Sequence, residues 1–291
     1  MLLIVGAILV FASVLTGYLM EGGNLLVLKQ PSELIIIGGA ALGSLLISTP
    51  VKVVKQLIGQ IKGLLGKGLT KDDFLELLAM QYQLFRLSQQ SGVMSLEAHF
   101  EEPEKSSILS TYPKFLAKHH AVDFLADSVK VIIIGGISPH DLESLMDEDL
   151  QVNHDEETKP ANILSKVGDA LPGFGIVAAV LGVVITMGAI DGPATEIGKK
   201  VAAALVGTFL GILMSYGFVA PMSTNLEQQA QDHGRYTQCI KAGLLASYKG
   251  FPPAIAVEFA RRVLPADVRP TFNQTEERCR AAGRAAEKEA A

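Results

Sequence analysis

Four stretches without a charged residue constrain this 291-residue chain more than any other feature. At 1.5 Å of rise per helical residue, the 21 residues 170–190 cover about 31 Å, which matches the hydrocarbon core of a bilayer. One such stretch is compatible with a buried helix, but four indicate a membrane protein. The predicted spans are Met1–Met20, Leu34–Val51, 170–190 and Val201–Leu226. Strand patterns are nearly absent, so we expect an all-α, polytopic membrane protein with four transmembrane helices and a helical cytoplasmic domain.

The lysines predict how these spans are oriented. Five of them follow the second span before the first acidic residue: Lys52, Lys55, Lys62, Lys67 and Lys71. The short segments inside each pair of spans carry few charges. By the positive-inside rule, the long loop and both termini of this multi-pass protein are therefore cytoplasmic, and both short loops face outward. The first stretch has no basic n-region and no A-x-A-like site before Glu21, so we expect a retained span and not a cleaved signal.

The spans form two close pairs and divide the chain into four parts. We predict a first transmembrane pair with a short periplasmic loop at 1–51, a cytoplasmic helical loop at 52–169, a second transmembrane pair at 170–226 and a cytoplasmic helical tail at 227–291. The net charge of −5 gives no reason to expect a nucleic-acid partner. Cys239 and Cys279 are far apart and form no C-x-x-C motif, which indicates reduced structural thiols.

Local signals predict helices in the loop and the tail. Thr70 and Asp73 have the spacing of a capping box, and an apolar pattern of period 3.6 follows to about Ser91, before Gly92. The other predicted helices cover Pro113 to Ile134, His140 to Leu150, the fourth span to about Lys249, and a short segment after the FPP break to Leu264. We expect the acidic stretch NHDEET, residues 153–158, to be a solvated connector, and the chain after Pro270 to be a helical or frayed end.

Small residues recur at helical spacing along the third and fourth spans. The two stripes are Gly175, Ala178, Ala179, Gly182 and Thr186, and Ala204, Gly207, Thr208, Gly211 and Ser215. The second span carries Gly39 and Gly43 at the same kind of spacing. Such stripes allow close approach of helices. Packing within one chain is one interpretation, and the presence of two stripes favours the other, an inter-subunit or pore-lining surface.

None of the four predicted spans contains Asp, Glu, Lys, Arg or His. Because ion translocation needs an ionisable group or a polar cage in the membrane, another chain has to supply the carrier if this protein moves protons. The remaining polar candidates are hydroxyls, which more often bond to their own helix backbone: Thr186, Thr208, Ser215 and Tyr216.

Two prolines lie at the ends of spans. With Asp169 as the N-cap, Pro172 is expected at the N3 position, where a missing N–H costs nothing. Pro221 is expected to free the carbonyl of Gly217 and to kink the fourth helix, with a structural kink favoured over a hinge.

Three segments together resemble the MotA family, the larger stator subunit of the bacterial flagellar motor: PANILSKVGDALPGFGIVAAVLGVV, LVGTFLGILMSYGFVAPM and PPAIAVEFARRVL. The resemblance extends along essentially the whole chain. It implies a homo-oligomeric ring of five copies around a dimeric MotB-like partner, whose single span supplies the ion-binding aspartate. It also implies a location in the bacterial inner membrane, anchoring to the cell wall and torque on a FliG-like rotor protein.

The same resemblance implies roles for residues of the ion path. Pro172 and Pro221 correspond to the two prolines that couple ion passage to movement of the cytoplasmic part. Ala179 occupies a position where sodium-driven relatives tend to carry threonine, which favours protons over sodium as the coupling ion. Thr208 corresponds to a hydroxyl that faces the ion path.

In the loop, the resemblance implies that Glu97 is the rotor-facing glutamate. The family usually has a basic residue eight positions earlier, where this chain has Gln89. Arg86, three residues before Gln89 and on nearly the same helix face, is the candidate replacement. Without the resemblance, Glu97 and Arg86 would be interpreted as solvated surface charges.

Other functions compete with this one. A TolQ/ExbB-like energiser of another envelope machine shares the last two spans but usually has three spans. A self-sufficient channel or transporter is disfavoured by the absence of intramembrane ionisable groups. An enzyme is the weakest option, because the six histidines lack metal-ligand spacing and the chain has no G-x-S-x-G or Walker A motif. We expect no cofactor and no metal.

Overall fold

The computed structural model describes residues 2–66, 68–188 and 190–289, with side chains described as far as Arg284. Three residues named in the predictions lie outside the described residues: Met1 and Ala189 of the predicted spans, and Lys67 of the predicted lysine cluster. Within those ranges every regular element is helical, which confirms the all-α prediction. The helices are α1 (Leu2–Met20), α2 (Leu25–Leu28), α3 (Pro31–Ser48), α4 (Val51–Gly63), α5 (Lys71–Ser91), α6 (Glu97–Glu101), α7 (Pro113–Leu116), α8 (His119–Ile134), α9 (Pro139–Met187), α10 (Ala194–Met214), α11 (Ala220–Tyr248), α12 (Pro253–Arg262) and α13 (Phe272–Glu289).

The chain forms two compact units. The span unit comprises residues 1–66 and 157–229, and the loop–tail unit comprises residues 67–156 and 230–291. Four helical stretches are long and apolar enough to cross a membrane, namely Leu2–Met20, Leu25–Ser48, Pro139–Met187 and Ala194–Tyr248. This confirms the prediction of four spans. The division at 51, 169 and 226 concerns the membrane boundary, and it stays a prediction.

Helix α9 is a single helix of 49 residues. The predicted connector at NHDEET is therefore wrong, and so is the predicted end of the third loop helix at Leu150. Side-chain bonds one turn apart support the helix there: Asn153 Nδ2 donates to Asp149 Oδ1 at 2.8 Å, and Gln151 Nε2 donates to Asp155 Oδ1 at 2.9 Å. Such amide–carboxylate pairs stabilise a helix that the local composition alone does not reveal.

Helix α5 begins and ends as predicted. Its capping box is formed, with the backbone N–H of Thr70 donating to Asp73 Oδ2 at 2.8 Å. Gly92 follows the last helical residue with φ of +84°, a value that favours glycine. Burial acts to raise the pKa of Asp73, but the hydrogen bonds from Thr70 and the charges of Lys118 and Lys114 outweigh it and lower the pKa. Local signals were sufficient here because both ends of the helix are determined by local bonds.

The loop–tail unit has α5 at its centre. The buried face of α5 includes Phe74, Leu77 and Leu78, and α12 and α13 pack against this helix. Both cysteines are free and buried in this core, which confirms the prediction for them. The predicted helix from Pro113 to Ile134 is divided into α7 and α8, because Lys118 leaves the helical conformation with φ of −103° and ψ of 75°.

In the span unit, α3 is followed at once by a helix that the sequence reasoning did not predict. Pro50 precedes the first turn of α4, which carries Lys52, Lys55 and Lys62 on a helix whose Leu57 is buried. Leu57 packs with Ala161 and Leu164 of α9 and with Leu226 of α11. A second cluster joins Ile37 and Ala41 of α3 to Leu171 and Ala178 of α9. Helix α9 is thus the element on which the span unit is assembled.

Candidate ion-path site

Helices α9 and α10 approach each other closely through their glycines. A Cβ built on Gly175 would lie 2.9 Å from the carbonyl oxygen of Gly207 and 3.2 Å from the Cα of Gly211. One on Gly182 would lie 2.7 Å from the Cβ of Ala204. At these distances an alanine would force the two backbones apart. The two small-residue stripes therefore pack on each other within one chain, and the favoured interpretation of them as an inter-subunit or pore-lining surface is wrong for these contacts.

The crossing of α9 and α10 brings together two of the predicted ion-path residues. The Cα of Thr208 would lie 3.3 Å from a Cβ on Gly175, and the backbone nitrogen of Ala179 would lie 3.3 Å from a Cβ on Gly207. Both Ala179 and Thr208 are half-buried. Both residues therefore lie at the same helix crossing. Their role in an ion path stays a prediction.

Pro172 does not lie in a first helical turn. It is inside the continuous helix α9, so Asp169 caps nothing and the predicted N3 position is wrong. The helix continues through this region because Ala161, Leu164 and Leu171 bury an apolar face, which outweighs the local start signal. A proline at this position removes the helical hydrogen bond to the carbonyl of Gly168.

The backbone around Pro172 packs against the segment that precedes Pro221. A Cβ on Gly168 would lie 3.2 Å from Cγ1 of Val219 and 3.7 Å from the backbone nitrogen of Ala220. On the other side, the carbonyl oxygen of Leu171 would lie 2.6 Å from a Cβ on Gly211. The structure thus brings the surroundings of the two prolines together, although they are separated by about 50 residues.

Pro221 follows a π-helical turn. Residues Ser215–Val219 form this turn, and the N–H of Ala220 bonds to the carbonyl of Ser215, five residues earlier. The segment around Gly217 is therefore a π turn, and the predicted kink of the helix there stays a prediction. The ring of Phe218 packs on Phe11 of α1, with the ring centroids 4.7 Å apart. Such turns are frequent at functional sites, because they interrupt the regular helical bonding.

The hydroxyl groups of these helices differ in how they are bonded. Thr186 Oγ1 donates to the carbonyl of Gly182 at 2.7 Å, as predicted for an ordinary helix hydroxyl. Ser215 is 1% exposed, and its Oγ has no hydrogen-bond partner in the part of the chain that the structure describes. Tyr216 is largely exposed. Ser215 is thus the hydroxyl whose surroundings are not explained by helix packing.

The sequence reasoning missed a carboxylate. Glu33 was placed outside the second span, but it is buried in the first turn of α3, within the stretch Leu25–Ser48 that is long and apolar enough to cross a membrane. Sequence reasoning started the second span at Leu34 and therefore left Glu33 out, while the span as predicted contains no ionisable residue. It failed because a search for uncharged runs necessarily ends at the charge. The signal available in the sequence was Pro31, which marks a helix start two residues before Glu33.

The predicted rotor-facing residues lie in the loop–tail unit. Glu97 is the first residue of α6 and is exposed, as is Gln89 near the end of α5. Arg86 is half-buried, and its Nη1 donates to the carbonyl of Gly283 at 3.5 Å. A Cβ on Gly283 would lie 2.8 Å from that nitrogen, so Arg86 is packed on α13. Its proposed role as a replacement for a basic residue at position 89 stays a prediction.

Comparison with known proteins finds relatives that match nearly the whole chain. Residues 4–92 match the family described as motility protein A N-terminal, and residues 116–238 match the MotA/TolQ/ExbB proton channel family. Motility protein A of Escherichia coli (strain K12) is 43% identical over 282 residues, which cover 97% of this chain and 96% of that protein. Chemotaxis protein LafT of Vibrio parahaemolyticus is 38% identical over 273 residues, which cover 93% of this chain and 95% of that protein.

Solved structures share the fold. The structure of C. jejuni MotAB matches with a TM-score of 0.74 at 21% identity, over 91% of this chain and 96% of that one. The flagellar MotAB stator complex from Bacillus subtilis matches with a TM-score of 0.71 at 22% identity, over the same shares. With two family matches and relatives of high identity over nearly its full length, this chain belongs to the motility protein A (MotA) family.

Proposed function

We propose that this chain is the MotA-type subunit of a flagellar motor stator, which with a MotB-like partner conducts protons across the inner membrane and turns ion flow into torque. The observation that carries the proposal is the 43% identity to E. coli motility protein A over 97% of the chain. The family is one of motor subunits and not of enzymes. A TolQ/ExbB-like energiser of another machine is not favoured, because relatives matched over nearly the whole chain are motility proteins.

A homo-oligomeric ring, of five copies on the family pattern, is supported by unpartnered surfaces of the span unit. Helix α1 buries none of its residues. A Cβ on Gly39 or on Gly43 of α3 would meet no atom of the described chain within 4 Å. Exposed apolar helix faces with small residues are suited to contact with lipid and with other spans. We infer that these faces take part in the contacts between copies and with the partner.

The partner is proposed to supply the aspartate that carries the ion. Between residues 170 and 188 and between residues 201 and 226, this chain has no Asp, Glu, Lys, Arg or His. The α9–α10 pair, with Ala179 and Thr208 at its crossing, would form the wall of the path. The alanine at position 179 supports protons over sodium, with no further cofactor.

The loop–tail unit is proposed to contact a FliG-like rotor protein through Glu97, which is exposed at the start of α6. One charge that moves through 100 mV yields about 2.3 kcal/mol. An exposed ion pair contributes about 0–1 kcal/mol, so one ion passage suffices to remake a few rotor contacts. Weak, salt-sensitive pairs suit a stepping interface, because strong ones would stall the cycle.

Orientation follows from Lys52, Lys55 and Lys62, which lie on α4 directly after the second span. The positive-inside rule places this helix in the cytoplasm. Both termini and the whole loop–tail unit are then cytoplasmic, on the side where a rotor would be met.

The proposal is tested by complementation of a strain that lacks its own copy of the chain. We expect Glu97→Lys to reduce swim-ring diameter to less than half, because it reverses an exposed charge at the proposed rotor contact. Glu104→Lys is the matched control, since Glu104 is also an exposed loop glutamate, and it should swim like the wild type. Immunoblots of membrane fractions check that both variants are inserted.

Prolines provide the second arm of this test. We expect Pro172→Ala to impair swimming with the protein still in the membrane, because it restores a helical bond at the α9–α10 contact. Wild-type swimming in the Glu97→Lys variant, in the Pro172→Ala variant and in a Pro172→Ala, Pro221→Ala double variant would remove the proposal.

A further inference from the structure

The span unit contains one buried carboxyl group that neither the sequence reasoning nor the proposed function uses. Glu33 is 6% exposed, and its Oε2 has no hydrogen-bond partner among the described residues. It is the third residue of α3, after Pro31 and Ser32. The described part of the chain offers no cation in salt-bridge distance of it. A carboxyl group that is buried and unpartnered among helices that form the candidate spans requires an explanation.

The surroundings of Glu33 place it at the proposed ion path. A Cβ built on Gly207 would lie 2.7 Å from Glu33 Oε2, 3.1 Å from the Cβ of Ala178 and 3.3 Å from the backbone nitrogen of Ala179. The carboxyl group therefore lies beside Gly207, at the crossing of α9 and α10 to which Ala179 and Thr208 also belong. Glycine at position 207 leaves the space that the carboxyl group occupies. None of the residues that α9 and α10 present there is ionisable.

Glu33 also lies far from the last residue of α9 and from the first residue of α10. Ala178 precedes the last residue of α9, Met187, by nine positions, which is about 14 Å along the helix. Gly207 follows the first residue of α10, Ala194, by thirteen positions, or about 20 Å. Six uncharged residues separate Gly207 from Lys200, the last charged residue of α10, so the carboxyl group lies beside the uncharged stretches of both helices and away from their charged ends.

The chemistry of this position allows two forms of the carboxyl group. An isolated carboxylate is strongly disfavoured in hydrocarbon, which favours the neutral acid. The free N–H groups of the first turn of α3 favour the anion, because a helix N-terminus carries partial positive charge. A group with these two opposing influences is suited to bind a proton and to release it.

We propose that Glu33 is a proton-relay group of the ion path, supplied by this chain itself in addition to the aspartate of its partner. In this step the Glu33 carboxylate takes a proton from a hydronium ion that enters from the end of the α9–α10 pair, which leaves water. The carboxylic acid then gives that proton to the next acceptor, the carboxylate of the partner's aspartate, and nothing is oxidised or reduced. The inference rests on the proposed function and adds a second carboxyl group to it.

Proton flux through the complex of this chain with its MotB-like partner, reconstituted in liposomes with a pH-sensitive dye inside, tests the relay. We expect Glu33→Gln to lower the flux at least tenfold, since the amide keeps the shape but exchanges no acid proton, and Glu33→Asp to keep part of it. Glu196→Gln is the matched control, because Glu196 is an exposed carboxylate in the first turn of α10, and its flux should equal that of the wild type. Co-purification with the partner checks assembly of every variant.

A glycine pair gives an independent variant that keeps the carboxyl group. Gly207→Ala brings a methyl group within 2.7 Å of Glu33 Oε2 and should lower the flux. Gly198→Ala, also on α10, adds a methyl group that meets nothing within 4 Å and should leave the flux unchanged.

Infrared difference spectroscopy of the same complex separates this inference from the proposed function. We expect a carboxylic acid C=O band that shifts on transfer to D₂O and is absent in Glu33→Gln. A Glu33→Gln complex that assembles and conducts like the wild type overturns the relay, and so does a Glu33 band that does not exchange. If the wild-type complex conducts no protons, the proposed function fails and the relay fails with it.

Discussion

At the scale of single residues, the segment PPAIAVEFARRVL resembles the family and also contains charged side chains that hydrogen-bond to each other and to the backbone. Arg261 Nε and Nη2 donate to the two carboxylate oxygens of Glu258, both at 2.7 Å, and Arg261 Nη1 donates to the carbonyl of Pro270 at 3.0 Å. Arg262 Nε adds a third bond to Glu258 at 2.7 Å. The bonds from Arg261 are the main reason that the pKa of Glu258 is lowered to about 2, against the opposing effect of burial.

We predict that Glu258→Gln lowers stability at pH 7 by about 2 kcal/mol, because the partly buried Arg261 loses its charged partner. The melting temperature of the detergent-solubilised chain should fall by about 5 °C. Since the pKa of Glu258 falls from its ordinary 4.5 to about 2 on folding, its stabilising effect is complete above pH 4.5 and is lost as the pH falls towards 2. The difference between wild type and variant should shrink over that range.

The control for this prediction is Glu276→Gln. Glu276 accepts a bond of the same 2.7 Å length from Arg280, but both side chains are largely exposed. The variant should therefore change stability by less than about 1 kcal/mol. Equal effects of the two substitutions would contradict the role given to Glu258.

At the scale of helices, sequence reasoning succeeded where the determining contacts are local. Thr70, Asp73 and Gly92 bound α5 through bonds to their own neighbours, and these are visible in the sequence. It failed at Pro172, where the local residues are typical of a helix start. The buried apolar face that contains Leu164 and Leu171 keeps α9 continuous there. It also failed at Glu33, because the burial of that residue depends on Gly207, which is far away in the sequence. Non-local packing contributes to these features, and a search for local patterns does not detect it.

The π turn at Ser215–Val219 gives a prediction at this scale. Pro221→Ala supplies an N–H that can bond to the carbonyl of Gly217, so the turn should relax towards regular α-helix. We expect the torque of tethered cells to fall to less than half of the wild-type value, with unchanged amounts of protein in the membrane. The tethered-cell assay measures this directly.

Pro193→Ala is the matched control for the π turn. Pro193 immediately precedes α10 and is exposed, so its replacement removes no constraint inside a helix. Wild-type torque in Pro221→Ala cells would show that the π turn is a tolerated feature of helix packing and not a part of the motor.

At the scale of the whole molecule, the span unit exposes many large apolar side chains. Helix α1 has no buried residue, and large apolar side chains such as Leu2 and Met20 are more than 80% exposed. Lipid covers part of such a surface, but the open positions at Gly39 and Gly43 suit another helix. The spacing of these glycines is visible in the sequence, whereas the helix that packs on them depends on the assembly.

We predict that Gly43→Leu lowers the yield of the proposed ring while single chains stay folded. A Cβ at position 43 meets nothing within 4 Å among the described residues, so we expect the loss to arise between chains or with the partner. Native mass spectrometry of the purified complex measures the copy number, with Gly59→Leu on α4 as a control that also has open space. Assembly of Gly43→Leu at the wild-type level would exclude this face from the contacts between copies.

The burial of the two native cysteines has a practical consequence for experiments on single motors. Cys239 is fully buried, and Cys279 is 6% exposed with its pKa raised to about 12 by burial. Maleimide dyes react with accessible thiolates, so the native chain should stay unlabelled at neutral pH. A Glu104→Cys substitution then gives one fluorophore per copy without removal of either native thiol. Stepwise photobleaching of such labelled complexes would count the copies in a working motor in the cell.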